Sequence, residues 1–110
     1  MGYVLNGTEL AVDDEQFLVE PVFDDAIVPV IAAAEGIPLN EDHWVVVRYM
    51  RDKYREEGHT PNFRGMLKDF SADHPGKDWK TYLYDLFPKQ PARQAARVAG
   101  LTKPYGKGGY

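Results

Sequence analysis

Glycine and proline divide this chain into short pieces, and that punctuation restricts what it can fold into more than any other feature. Gly36 with Pro38, Gly58 with Pro61, Pro88, and Gly100 each follow a stretch in which apolar residues recur at three- and four-residue spacing. Such spacing builds an apolar stripe along one side of a helix, whereas a glycine in the left-handed region or a proline beyond it stops the helix. Four helices are bounded in this way. The first covers 26–34, with Asp24 or Asp25 as its cap and Pro29 in the first turn, where proline is tolerated. The second runs from Asn40 to Gly58 with Trp44, Val47, Met50, Arg51 and Tyr54 on one face, and Glu41 and Asp42 in the first turn suit the helix dipole. The fourth carries Trp79, Tyr82, Leu83, Leu86 and Phe87 and ends at Pro88, and a last one runs from Gln90 or Pro91 to Ala99. Between the second and fourth, Thr60-Pro61 opens a helix with Phe63, Met66, Leu67 and Phe70 on its apolar face, followed by a loop over 71–77. At the front, Asn6-Gly7 between two apolar stretches is a strong hairpin signal, because both central positions of a type I′ turn need positive φ. The expected fold is mainly α: a small orthogonal bundle of about five helices with an N-terminal β-hairpin and an extended C-terminal arm. It reads as one domain over 1–110, with the hairpin at 1–12, the bundle at 24–99 and the arm at 100–110.

Charge is divided unevenly along the chain. Residues 87–110 carry five Lys or Arg and no Asp or Glu, while the preceding part holds all 17 acids with the other eight bases, so that +5 and −9 give the net −4. A basic arm on an acidic body is built to be presented to a partner or folded back on the body. The overall acidity disfavours a general nucleic-acid binder. No apolar run approaches the roughly 20 residues that cross a bilayer, and the N-terminus lacks the basic-then-apolar pattern of a signal peptide, so no membrane role and a cytoplasmic location are expected. The chain contains no cysteine. Disulfides, thiolate metal sites, cysteine nucleophiles and persulfide chemistry on the protein itself are thereby excluded.

Candidate chemistry is sparse. His43, His59 and His74 are too far apart for a ligand pair on one helix and read as capping or solvent-facing residues. Asp13-Asp14-Glu15 and Asp24-Asp25 read as turn and capping charges, since adjacent residues point in different directions. Ser71 lies outside any nucleophile elbow. Gly106-Lys107-Gly108-Gly109 lacks the strand and helix that a phosphate loop requires. No catalytic group, metal site or cofactor is expected. The second helix, the break at 58–60 and the third helix form a helix-turn-helix candidate that would offer Asn62, Arg64 and Lys68 to DNA, with few bases for phosphate contact.

Taken together, the Asn-Gly hairpin, Leu39-Asn40-Glu41-Asp42-His43-Trp44, Thr60-Pro61-Asn62-Phe63-Arg64, Tyr82-Leu83-Tyr84-Asp85-Leu86-Phe87-Pro88 and Ala95-Ala96-Arg97-Val98-Ala99-Gly100-Leu101-Thr102-Lys103-Pro104-Tyr105-Gly106 resemble the DsrC/TusE family of sulfur-relay proteins, which includes the gamma subunit of dissimilatory sulfite reductase. The resemblance covers nearly the whole chain. It implies a small helical bundle with an N-terminal hairpin and a mobile C-terminal arm. It also implies sulfur carried on a cysteine next to the C-terminus, often with a second cysteine eleven positions earlier that bonds to the first.

This chain departs from that pattern at both positions. Matching Lys-Pro-x-Gly places Lys107 at the position of the sulfur-carrying cysteine and Ala96 at the second, and the arm extends two residues further than usual. Neither side chain can hold a persulfide. The resemblance then leaves a docking surface at Arg64, Tyr84, Arg97, Lys103, Pro104 and Gly106, to which Arg93 and Lys107 add charge. The expected protein is a non-catalytic binding or regulatory member docking to sulfite reductase or sulfurtransferase components. The alternative is a helix-turn-helix regulator linked to sulfur metabolism, with nucleic acid as its partner.

Overall fold

A computed structural model describes residues 2–103. Strands β1 (Tyr3–Leu5) and β2 (Thr8–Leu10) pair antiparallel in the register Tyr3 with Leu10, Val4 with Glu9 and Leu5 with Thr8. Asn6 and Gly7 turn the chain at φ 52° and 80°, the two positive values that a type I′ turn demands. Alternation along β1 buries Tyr3 and leaves Val4 exposed, and the hairpin rests on the first helix. A two-stranded ribbon needs such a support.

Five helices follow: α1 (Ile27–Glu35), α2 (Glu41–Glu57), α3 (Phe63–Asp73), α4 (Trp79–Leu86) and α5 (Pro91–Val98). The mainly α bundle with a leading hairpin is as expected, and most of its helix boundaries follow from local chemistry. Asn40 caps α2 by accepting from the amides of Asp42 and His43 at 2.9 and 3.2 Å. His43 answers with its Nδ1, which accepts from the Asn40 amide at 3.1 Å, while its Nε2 meets the Leu86 carbonyl at 3.0 Å. This histidine is therefore a buried cap that also ties α2 to the end of α4.

Three boundaries differ from the sequence expectation. Helix α3 begins after Asn62 and not after Thr60, because the Asn62 side chain accepts from the Gly65 amide at 2.8 Å; Thr60 is buried, and its hydroxyl has no hydrogen-bond partner among the described residues. The same helix continues through Ser71 to Asp73, so that the connection to α4 is shorter than the expected loop at 71–77. Asp78 then caps α4, accepting from the Thr81 amide and hydroxyl at 3.2 and 2.8 Å. At α1 the cap position is Ala26. Asp24 accepts from the Ala26 amide at 2.9 Å in the preceding turn, and Asp25 turns away to Arg51.

The short helix α5 is the centre of the bundle and packs against α1, α2, α3 and α4. Its Ala92, Ala95 and Ala96, with Ala99 at its end, are fully buried. Methyl-sized side chains let four neighbours approach one axis, which explains why small residues occupy most of its faces. The stretch between the hairpin and α1 adds Phe17 and Leu18 to the same core.

Candidate functional site at the root of the C-terminal segment

Helix α5 ends in a Schellman arrangement. Gly100 sits at φ 80° and its amide donates to the Arg97 carbonyl at 3.1 Å, while the Leu101 amide reaches back to Ala96 at 3.0 Å. Leu101 is fully buried, and the Gly100 carbonyl accepts from the Val22 amide at 2.8 Å. A β-carbon on Gly100 would lie 2.5 Å from the Val22 oxygen and 2.9 Å from Ile27 Cγ2. Glycine is thus required here twice, by backbone conformation and by close approach. The exit of the chain from the bundle is set by these contacts.

Three cations of this C-terminal segment converge on one turn at residues 13–17. Asp13 shapes the turn by accepting from the amides of Glu15 and Phe17 at 2.8 and 3.0 Å, and Gln16 adopts φ 68°. The Glu15 carboxylate receives both Arg93 and Lys103. Its main-chain carbonyl accepts from Arg97 Nε at 3.1 Å. Arg97 also pairs with Glu35 at 2.8 Å, and the same carboxylate oxygen accepts from Gln94 Nε2 at 3.0 Å. Both guanidiniums lie over Phe17, that of Arg97 at 4.5 Å from the ring centre and that of Arg93 at 5.4 Å, a placement that favours a cation over the π face. The hydrogen bond from Lys103, reinforced by the charges of Arg93 and Lys103 and opposed by burial, holds the Glu15 carboxyl below the usual carboxylate range.

Arg93 and Arg97, read from sequence as docking residues, are thus engaged by the chain's own carboxylates, and Arg93 is buried. Ala96 is fully buried in the same helix. Lys103 is the more exposed member of the set, at 47 % of its side chain. Pro104, Gly106 and Lys107 lie outside the described residues. Arg64 is exposed at the start of α3, and half-exposed Tyr84 stacks edge-on against Phe63 at 5.5 Å, which brings these two positions onto neighbouring elements. Sequence reasoning does not reach Glu15, Glu35 and Gln94 as members of the site. The acids lie 62 to 82 positions from their arginine partners, and no local pattern points across such a distance.

The DNA-contact positions gain no support. The Asn62 oxygen is occupied in capping α3, which leaves Arg64 and Lys68 as two exposed bases on that helix. Nearby, Asp69 accepts from Tyr49 at 2.6 Å and pairs with Lys53 at 3.2 Å, so this side of the molecule is mixed in charge. Among the described residues no group of three or more His, Asp or Glu is placed to hold a metal ion, and no helix is long and apolar enough to cross a membrane.

The model of the family described as DsrC like protein matches residues 4–107. The chain is 41 % identical over 100 residues to the sulfurtransferase TusE of Pectobacterium atrosepticum, covering 89 % of this chain and 92 % of that one. To TusE of Escherichia coli it is 41 % identical over 103 residues, covering 92 % and 94 %. Among solved structures, Allochromatium vinosum DsrC superposes with a TM-score of 0.82 at 32 % identity, over 96 % of each chain. The oxidized gamma subunit of the dissimilatory sulfite reductase (DsrC) from Archaeoglobus fulgidus gives 0.78 at 32 %, over 94 % of this chain and 96 % of the other. This chain belongs to the DsrC/TusE family of sulfur-relay proteins, as a member without a single cysteine.

Proposed function

We propose that this protein is a non-catalytic member of its family that binds a protein partner of sulfur metabolism, a sulfite reductase or sulfurtransferase component, through its C-terminal segment and does not carry sulfur itself. The observation that carries this reading is the family match over 4–107 in a chain whose cysteine count is zero. A persulfide requires a thiol, and Ala96 and Lys107, which occupy the positions of the family's two cysteines by motif, have none. The bundle and the exit of the C-terminal segment are nevertheless built in full, with Gly100 and Leu101 in place. Such a chain is equipped to occupy the docking site of a carrier and to compete with it. Lys103, and Lys107 beyond it, suit an anionic site on the partner.

The test is capture of sulfite reductase and sulfurtransferase components on the full-length chain and on one ending at Lys103, which keeps the buried Leu101. Loss of capture on truncation is expected, and equal recovery of both forms would remove the segment from the mechanism. Mass spectrometry after incubation with a persulfide donor and a sulfurtransferase should show unmodified protein, and a sulfur adduct on any residue would overturn the non-carrier reading.

A further inference from the structure

We propose that Glu15 is a latch that holds Thr102 and Lys103, beyond the buried Leu101, against the body, and that an acidic partner surface opens it by taking Lys103 in exchange. The proposal rests on the docking reading above. Up to Leu101 the segment is held by main-chain hydrogen bonds and burial, which no change of charge releases. Beyond Leu101, the hold among the described residues is the ion pair of Lys103 with Glu15. The two holds differ in kind.

Glu15 is a prepared acceptor. Asp13 shapes its turn, Arg97 fixes its carbonyl and Arg93 shares its carboxylate. Its side chain is 38 % exposed and that of Lys103 is 47 % exposed, so a competitor can reach both. The neighbouring pair of Arg97 with Glu35 is 14 % exposed on each side and lies out of such reach. Exposed ion pairs are weak and screened by salt, and one is exchanged for another at little cost. The exchanged partner must be acidic, because residues 87–110 bring five bases and no acid of their own. Binding to such a surface would therefore be coupled to release of the segment from Glu15.

The experiment is backbone ¹⁵N relaxation of the full chain, with Glu15→Gln and Lys103→Gln as variants. In the unaltered protein Thr102 and Lys103 should be as rigid as Leu101. Either substitution, or about 1 M NaCl, should lower the heteronuclear NOE at Thr102 and Lys103 while residues 95–101 keep theirs. In a titration with a hexaglutamate peptide, the Glu15→Gln protein should bind roughly twofold to fivefold more tightly than the unaltered one, since the internal competitor is gone. Unchanged NOE values at Thr102 and Lys103 in the Lys103→Gln protein would overturn the latch. So would an equal loss of rigidity across residues 95–101, which would make the pair a support of α5. The two readings fail separately: an intact latch with no captured partner sinks the docking reading alone, and capture with unchanged relaxation sinks the latch alone.

Discussion

Arg51 of α2 donates its Nε to the carbonyl of Ala99, 48 positions away at the end of α5, at 3.0 Å. The guanidinium is almost completely buried, and its other nitrogens reach Asp25 at 2.5 Å and the Asp24 carbonyl at 3.2 Å. One side chain therefore ties the start of α1, the middle of α2 and the terminus of α5. It is a charged residue in the apolar stripe of α2, kept there by what it bonds.

Replacing Arg51 by Met should cost about 2–3 kcal/mol, because the Ala99 and Asp24 carbonyls lose a charged donor. Asp25→Asn should cost less, about 1 kcal/mol, since that side chain is 72 % exposed and the amide oxygen of Asn can still accept from the buried Arg51. Urea denaturation of both variants measures the difference, and equal losses would mean that the ion pair and not the carbonyl contacts holds the junction.

Two left-handed glycines offer an internal comparison. Gly58 at φ 77° has open space where a methyl group would sit, whereas a methyl on Gly100 at φ 80° would meet Val22 and Ile27. Gly58→Ala should cost about 1 kcal/mol for conformation alone. Gly100→Ala should cost at least about 2 kcal/mol more, as backbone at Val22 must move. Thermal unfolding of the two proteins decides this.

Stability should be greatest through the neutral range and fall at both extremes. Carboxyls of Glu15, Asp69 and Asp78 are held below their ordinary range, chiefly by Lys103, Tyr49 and Thr81 respectively. A depressed carboxyl stabilises the fold above its unfolded value, and that contribution is lost as pH falls through the folded one. Burial and the bond to Asp42 push the Tyr82 hydroxyl up to about 12. A raised tyrosine stabilises below its ordinary value of 10.0 and loses that contribution as pH rises toward the folded one. Urea midpoints measured between acid and alkaline pH should trace this plateau, and Glu15→Gln should flatten its acid side. An acid limb unchanged by that substitution would show that the Lys103 contact does not contribute.

Ala96→Cys introduces a thiol at a fully buried position. The variant should fold with a loss below about 1.5 kcal/mol, and its thiol should react with a disulfide reagent at least about tenfold more slowly than free cysteine. Fast reaction would mean that α5 opens far more readily than its packing implies.

The legible part of this protein is local in origin. Asn6-Gly7, Asn40, Gly36, Gly58 and Gly100 act within a few residues through caps, turns and left-handed backbone, so a reading of neighbours places them. Thr60-Pro61 reads in sequence as the start of α3, whereas the side chain that reaches the third amide of the helix, Asn62, sets the boundary, and that depends on how the chain is placed in space. Composition alone excluded thiol chemistry, because an absent atom type is absent in any conformation. The destination of Arg51, Arg93, Arg97 and Lys103 was decided only by tertiary structure. Their partners are 26 to 82 positions away for the three arginines, and a charge seen in sequence carries no mark of whether folding will bring an acid to it or leave it for another molecule. Sequence by itself determined a cysteine-free helical bundle with a basic end. Packing of α5 at the centre of that bundle determined that two of its bases face inward and that Lys103, two residues past the buried Leu101, remains half exposed.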